Sequence, residues 1–173
     1  MPIKSILIHP DKRLRTKAVE IIDLSDEYIK LADTMLETMY AAPGIGLAAP
    51  QIGSLLRLIV LDCNKVEESE FRPLQMFNPK IMEFSEERDI QEEGCLSIPD
   101  QFGEVERPSV VSVGWVDKTG IEKKETFEGI WARCIQHEID HLEGKLFIDY
   151  LTPLRRQLIT RKMKKLKKGI NQK

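Results

Sequence analysis

The segment His137-Glu138-Ile139-Asp140-His141 constrains the fold of this chain more than any other part of the sequence. It has the pattern H-E-x-x-H, and it contains two of the protein's three histidines. Residues four apart lie on one face of an α-helix, about one turn from each other. Two imidazoles so spaced can hold one metal ion, with the glutamate beside the reacting water. The pattern predicts a metal-binding helix and indicates metal-assisted hydrolysis.

A catalytic metal site of this kind needs a third protein ligand, and the helix does not supply an obvious one. In metallopeptidases that use three histidines, the third comes six positions after the second, where this chain has Phe147. Glu143 and Asp149 are weaker carboxylate candidates. The alternative at this point is a helix with two surface histidines and no metal.

The chain has three cysteines, Cys63, Cys95 and Cys134, and so small and odd a number predicts reduced thiols. Cys134 is seven residues from His141, about 10.5 Å along a helix, which is too far to share one ion easily. We expect Cys134 and Cys63 to be small buried side chains. Cys95 follows Gly94, which gives the backbone room to turn, and its thiolate could complete a Cys-His-His set.

The composition is that of an ordinary globular protein, with 173 residues, 42% hydrophobic and 31% charged. We expect a single domain over residues 1–173. The N-terminal apolar run is too short for a signal peptide, and no apolar stretch is long enough to span a membrane. These features predict a cytoplasmic chain without a membrane partner. His9 is isolated before Pro10, and we expect it to be a surface or loop histidine.

Charge is unevenly distributed along the sequence. The net charge is 26 − 28 = −2, but residues 151–173 contain nine Lys or Arg and no acid, so residues 1–150 carry 17 − 28 = −11. An acidic body with a basic C-terminal segment predicts a polyanionic partner for that segment, or else a solvated charged helix face.

The pattern of apolar residues predicts an α+β fold. Helical spacing predicts helices at about 25–42, 129–143 and 153–168, the last of them strongly basic. Short β-branched or apolar runs predict strands at 56–62, 74–77, 81–84 and 110–116, with a turn at 117–120. We expect mixed or antiparallel sheets around a central metal-binding helix, followed by a C-terminal helix.

Three segments together resemble the motifs of the peptide deformylases, in particular the bacterial type-1 branch. They are Gly44-Ile45-Gly46-Leu47-Ala48-Ala49-Pro50-Gln51, Glu93-Gly94-Cys95-Leu96-Ser97 and Gln136-His137-Glu138-Ile139-Asp140-His141. The resemblance implies a hydrolase of protein biosynthesis that removes the formyl group from N-terminal formyl-methionine of nascent peptides and releases formate. It also implies one Fe²⁺ per chain held by Cys95, His137 and His141, for which Zn, Ni or Co can substitute in a purified sample.

The resemblance assigns a role to further residues. Glu138 accepts a proton from the attacking water and passes it to the leaving amine, while the Gln51 side chain and the Leu96 backbone N–H stabilise the oxyanion. The substrate pairs as an added strand near Ile45 and Gly46. The pocket for the methionine side chain is implied to include Gly44, Ile45, Glu93, Ile130, Cys134 and His137. Ribosome docking through the basic helix is also implied, with no role for DNA.

Three positions near the implied pocket are less determined. Arg133 stands where the family often has an aliphatic residue, and it either alters the pocket rim or extends into solvent. Phe102 replaces an arginine that holds the peptide in some relatives. Arg107 is a candidate to pair with Glu93 and support the site.

Two other functions compete with the deformylase interpretation. A small metallopeptidase of the H-E-x-x-H type would use the same helix, but it would release an amino acid rather than formate. A metal-stabilised RNA- or ribosome-binding module would need the metal for folding only.

Overall fold

The computed structural model describes residues 2–65 and 70–172. Its helices are α1 (Asp26–Ala41), α2 (Gly129–Leu142) and α3 (Pro153–Asn171). Its strands are β1 (Gly46–Ala48), β2 (Leu58–Leu61), β3 (Leu74–Phe84), β4 (Arg88–Cys95), β5 (Ile98–Pro108), β6 (Val110–Val116) and β7 (Glu122–Glu128). Short 3₁₀ turns lie at Lys12–Arg15, Ala49–Ile52, Cys63–Lys65 and Phe147–Tyr150. None of the helices in these ranges is long and apolar enough to cross a membrane.

The strands form two antiparallel sheets. One sheet has the order β1-β2-β3-β6-β7, and the other is the hairpin β4-β5. The five-stranded sheet is covered on both faces at its β1–β2 end. Ile59 and Leu61 of β2 pack with α2 residues such as Ile135, whereas Leu58 and Val60 pack with α1. Because successive side chains in a strand point to opposite faces, β2 is buried throughout.

The predicted α+β class and the central position of α2 are confirmed. Helix α1 begins after Ser25, as expected, and Gly144 has a φ of 74°, which suits the end of α2. Asp117 accepts hydrogen bonds from the backbone of Thr119 and Ile121, so the predicted turn joins β6 to β7. Helix α3 extends three residues beyond the predicted end at 168.

The sequence prediction of two strands at 74–77 and 81–84 was wrong, because they form one strand, β3. Asn78 and Pro79 lie in an irregularity of the β3–β6 pairing between Phe77 and Lys80. Asn78 has a φ of 51°, and its side-chain amide bonds to both the N–H and the carbonyl of Ile21. These bonds stabilise the irregular backbone without ending the strand.

Candidate metal centre and substrate cleft

Helix α2 and the end of β4 bring three metal-ligating side chains together. His137 and His141 are one helical turn apart, with ring centroids separated by 5.1 Å. Cys95 ends β4, and its Sγ lies 3.3 Å from His141 Nε2. One ligand atom from each of the three side chains lies within 4.8 Å of the other two. A thiolate and two imidazoles are a donor set that suits a divalent transition metal, so this cluster could hold one.

Glu93 fixes the orientation of His137. Its Oε1 lies 3.0 Å from His137 Nδ1, and an ionised carboxylate can only accept a hydrogen bond, so Nδ1 is the donor. This leaves Nε2 of His137 free to bind a metal. Burial opposes the charge of Glu93, but hydrogen bonds from Arg107 and His137 outweigh it and lower the Glu93 pKa to about 2. Glu93 is therefore ionised whenever the protein is folded near neutral pH.

Glu138 is almost completely buried, with 4% of its surface exposed. Burial raises its pKa to about 7. Its Oε2 is buried without a hydrogen-bond partner in the described part of the chain. A buried carboxylate oxygen normally has a partner, so the free Oε2 suits a group that exchanges a proton with a bound molecule.

Gln51 lies on the other side of Cys95, in the 3₁₀ turn that follows β1. Its Oε1 accepts a hydrogen bond of 2.8 Å from the Ala48 N–H, which fixes the amide orientation. Its Nε2 donates to Ser97 Oγ at 3.1 Å and lies 3.6 Å from Cys95 Sγ. Leu96 and Ser97 form the short turn between β4 and β5, so the Leu96 N–H is adjacent to Cys95. The Gln51 side-chain amide and the Leu96 backbone N–H are therefore both close to the Cys95 thiol.

A cleft of about 640 Å³ opens in front of these residues. Its lining includes Gly44, Ile45, Gly46, Gln51, Glu93, Cys95, Leu96, Ile130, Cys134, His137 and Glu138. One wall is the short strand β1, which pairs with β2 and is at the edge of its sheet. The opposite wall is the β4–β5 hairpin. All the residues predicted for catalysis and substrate binding therefore line one cleft.

Gly46 is closely surrounded in this wall. A Cβ atom added there would overlap Glu138 Oε1 and would lie 2.7 Å from Cys134 Sγ. Only glycine lets the β1 backbone approach α2 this closely.

Comparison with known proteins identifies the family. Residues 3–157 match the family model described as polypeptide deformylase. The chain belongs to the peptide deformylase family. A peptide deformylase of Rhizobium meliloti (strain 1021) is 51% identical over 168 residues, which cover 97% of this chain and 96% of that protein.

Solved structures of the family have the same fold. The peptide deformylase of Ehrlichia chaffeensis superposes with a TM-score of 0.91 at 37% identity, covering 97% of this chain and 98% of that one. That of Legionella pneumophila gives 0.90 at 41% identity, covering 99% of each chain. The chain is thus an enzyme of a metal-dependent family, and the small metallopeptidase alternative is not favoured.

The structure decides between the alternatives at Arg133. The expectation that Arg133 extends into solvent is wrong, because only 8% of the residue is exposed. Its guanidinium donates to Glu93 Oε2 at 2.6 Å, to the Val105 carbonyl at 3.0 Å and to Asp89 Oδ1 at 2.9 Å. Arg133 therefore lines the cleft with its aliphatic stem while its charged end is held by partners on β4 and β5.

The predicted pair between Arg107 and Glu93 is present, with distances of 2.6 and 2.9 Å. Phe102 is exposed and lines the cleft rim, and its backbone carbonyl accepts a hydrogen bond from Arg155. The other carboxylates considered as ligands are engaged elsewhere, since Glu143 pairs with Arg57 and Asp149 with Arg15.

His9 lies in a turn outside the helices and strands, as the loop alternative predicted, but it is not at the surface. His9 is only 5% exposed, and its Nε2 lies 2.9 Å from Thr160 Oγ1 of α3. The cysteine predictions were correct for Cys63 and Cys134, which are both buried.

Residues missed by the sequence analysis lie mainly in the second wall of the cleft, at Gln91, Glu92 and 98–101. Their closeness in sequence to the Glu93–Ser97 motif was the available signal. The role of Ser97 as the partner of Gln51 was missed although it belongs to that motif.

Proposed function

We propose that the cleft hydrolyses the formyl amide of N-formylmethionyl nascent peptides and releases formate and a free amino terminus. The main support for this proposal is the arrangement of the metal-ligating cluster, Glu138 and Gln51. Cys95 and His137 of the metal-ligating cluster line the same cleft as Gln51 and Glu138. Gln51 Nε2 lies 3.6 Å from Cys95 Sγ, and Glu138 Oε2 has no hydrogen-bond partner among the described residues. Proton transfer and oxyanion stabilisation can therefore act on one bound carbonyl.

We propose that Fe²⁺ is the native ion and that Cys95, His137 and His141 hold it. When bound, the ion supplies Lewis acidity that favours attack by water near neutral pH. Residue type alone would suit zinc as well as iron, and Zn, Ni or Co can occupy such a set in a purified sample. Metal analysis of protein purified without oxygen tests the assignment, because a thiolate ligand makes the site sensitive to oxidation.

Glu138 is the proposed proton carrier. It takes a proton from the attacking water and delivers it to the nitrogen of the leaving methionine amine. Its burial and its free Oε2 support this role, because no other described side chain competes for that oxygen. General acid–base catalysis of this kind contributes roughly 10²–10⁴-fold to a rate.

Gln51 and Leu96 are the proposed donors to the oxyanion. The bond from the Ala48 N–H to Gln51 Oε1 forces the amide nitrogen toward Cys95. The Leu96 N–H comes from a tight turn of the hairpin, so both donors are held before the substrate arrives. Each such donor is worth on the order of 10²–10³-fold in turnover.

The peptide backbone of the substrate is proposed to pair with the main chain at Gly44, Ile45 and Gly46, which leads into the edge strand β1. An added strand is recognised mainly through its main chain, so the enzyme can accept many nascent chains. Ile130, Cys134 and the stem of Arg133 give the neighbouring pocket an apolar wall for methionine, and Glu93 closes it.

Replacement of Glu138 by Gln tests the mechanism. The variant keeps the size of the side chain but cannot carry the proton, so formate release from a formyl-methionyl tripeptide should fall by about 10²–10⁴-fold. Metal content should stay unchanged. Glu128→Gln, at an exposed residue just before α2, is the matched control. Full activity of Glu138→Gln would exclude the proposed proton transfer, and an amino acid product would favour a peptidase.

We also propose that the chain acts in the cytoplasm as a single domain over residues 1–173 and docks on the ribosome through α3. Six basic residues of α3 are exposed, namely Arg155, Arg161, Lys162, Lys164, Lys165 and Lys168. Ile159 and Met163 anchor the helix in the same hydrophobic cluster as Val105 of β5. The helix can therefore present its charges to ribosomal RNA while it stays attached to the catalytic body.

A further inference from the structure

A second cavity, here called the rear cavity, lies behind α2. Its volume is about 540 Å³, close to that of the cleft and within the range of small-molecule sites. From α2 it is lined by Gln136, Ile139 and Asp140, and from the end of the helix by Glu143. At about 100° per residue these positions lie to one side of His137 on the helix, and none of the residues that line the rear cavity also lines the substrate cleft.

The floor of the rear cavity is apolar. It is formed by Ile81 and Phe84 of β3, Pro108 of β5 and Ile139 of α2. Phe84 is 61% exposed, although it is a large hydrophobic residue at the end of a strand. The apolar body of a bound molecule would cover this ring and remove its surface from water.

The polar wall of the rear cavity is already fixed. Asp140 Oδ2 accepts hydrogen bonds from Arg107 at 2.9 Å and from the Tyr150 hydroxyl at 2.8 Å. The Arg107 guanidinium lies 4.9 Å from the centre of the Tyr150 ring. Gln136 Nε2 donates to the carbonyls of Pro108 and Ala132. A ligand would therefore meet a preformed surface and would not need to order it.

The charges of the rear cavity do not balance. Its five cations are Arg57, Lys80, Arg88, Arg107 and Lys145, and its three acids are Glu106, Asp140 and Glu143. Each acid has an arginine partner, in the pairs Arg57–Glu143, Arg88–Glu106 and Arg107–Asp140. Lys80 and Lys145 have no ion-pair partner within residues 2–65 and 70–172. The rear cavity therefore has two unpaired positive charges, those of Lys80 and Lys145, in addition to its apolar floor.

We propose that the rear cavity binds a small organic anion with an aromatic or alkyl body. The body would pack on Phe84 and Ile81, and the carboxylate, sulfonate or phosphate group would pair with Lys80 and Lys145. An inorganic anion has no apolar body to cover the floor, and a neutral molecule has no charge to pair with the lysines. A cation would meet the two unpaired lysines and be repelled.

The experiment uses anilinonaphthalene sulfonate, whose aromatic body and single negative charge match the proposed ligand. The zinc-loaded full-length protein is titrated and the fluorescence change is fitted for stoichiometry and Kd. One molecule should bind per chain. The double variant Lys80→Glu and Lys145→Glu should bind about tenfold more weakly or worse, because two attractive charges become repulsive. Both lysines are exposed, so the fold should persist, which thermal unfolding checks.

A matched control separates this site from a general charge effect. Lys118→Glu with Lys162→Glu makes the same change in net charge at exposed positions outside the rear cavity, and its Kd should equal that of the parent protein. Amide shifts in the ¹H–¹⁵N spectrum should change at Ile81, Phe84 and Lys145. The proposal fails if no saturable binding occurs, if the control loses as much affinity, or if the shifts concentrate at Gly46 and Leu96 in the cleft.

Discussion

The carboxylate of Glu93 in β4 connects one side chain of β5 with two side chains of α2. Arg107 and Arg133 both donate to it, and His137 donates from Nδ1. Two buried guanidinium groups on one carboxylate are tolerated because Asp89 and Asp140 supply further negative charge to the arginines. The orientation of His137 therefore depends on residues that do not line the metal centre.

Arg133→Met is expected to weaken metal retention without unfolding the chain. Methionine keeps the apolar stem but removes the donors to Glu93, Val105 and Asp89. Loss of a residue that orients a metal ligand typically lowers metal affinity by about 10–100-fold. Because Arg107 still holds Glu93, we expect a loss of about tenfold. Metal content is measured after dialysis against graded chelator. Arg13→Met, at an exposed arginine paired with Asp11, is the control, and equal retention in both variants would contradict the role of Arg133.

Gly46→Ala should damage activity more than stability. The new methyl group would displace Glu138 and Cys134, which costs roughly 1–3 kcal/mol by overpacking and moves the proposed proton carrier. Formate release should fall by at least about 10²-fold, the lower limit for loss of a positioned acid–base group. Urea unfolding gives the stability.

Gly169→Ala is the matched control for Gly46→Ala. Gly169 lies within α3, and a Cβ atom there would have no neighbour within 4 Å. The alanine should stabilise the helix by up to about 1 kcal/mol and leave turnover unchanged. Full activity of Gly46→Ala would mean that the cleft adapts to the methyl group and that the close contact is not required.

The positions of side chains in the site were predictable where the residues belong to a sequence motif. They were not predictable where the position depends on burial against distant parts of the chain. The metal cluster, Gln51 and the Arg107–Glu93 pair lie in the predicted positions. The burial of Arg133 depends on Asp89, which is 44 residues earlier, and that of His9 depends on Thr160, 151 residues later. No local pattern encodes such distant partners.

Among the elements, the helices were easier to predict than the strands. The β4–β5 hairpin was missed because its residues are mostly charged or polar and have no continuous apolar run. In β5 the alternation of buried Gly103, Val105 and Arg107 with exposed Glu104 and Glu106 is regular, but an arginine on the buried side hides it. Because the hairpin forms one wall of the cleft, the residues of that wall were also incompletely predicted.

The packing of α3 against the body should depend on pH through His9. Burial is the main cause that lowers the pKa of His9 to about 4, and the charge of Arg15 lowers it further. Asp149 raises the pKa, and Lys164 and Lys167 lower it by smaller amounts. The unfolded chain binds a proton near pH 6.5, whereas the folded chain does so only near pH 4. Stability from this group is therefore complete above about pH 6.5 and is lost as the pH falls toward 4.

His9→Gln should remove this dependence. The glutamine amide can still reach Thr160 but does not titrate. Between pH 7.5 and 5 the free energy of unfolding of the variant should therefore fall by about 2 kcal/mol less than that of the parent protein. Urea unfolding of both proteins at the two pH values measures the difference, and any effect of the metal cancels in the comparison. Equal losses would show that His9 is protonated in the folded protein at pH 5.

At the scale of the whole molecule, charge is separated between an acidic body and a basic helix. Residues 1–150 carry −11 and residues 151–173 carry +9. The body would repel a polyanion, so an encounter with RNA should orient the protein with α3 leading. In that orientation the cleft, which is formed by β1, α2 and the β4–β5 hairpin, belongs to the body and not to the contact surface.

Neutralisation of Lys164, Lys165 and Lys168 by Gln should weaken ribosome binding and reduce its salt dependence. Each lost phosphate contact reduces the magnitude of the slope of log K against log salt by about 0.7–0.9, so the loss of three contacts should reduce it by about 2–3. Sedimentation with ribosomes at a series of salt concentrations gives both quantities, and formate release from a short peptide should not change. The control replaces Lys4, Lys30 and Lys118, which are exposed lysines of the acidic body. An unchanged slope in the α3 variant would mean that the basic face is solvated and does not contact RNA.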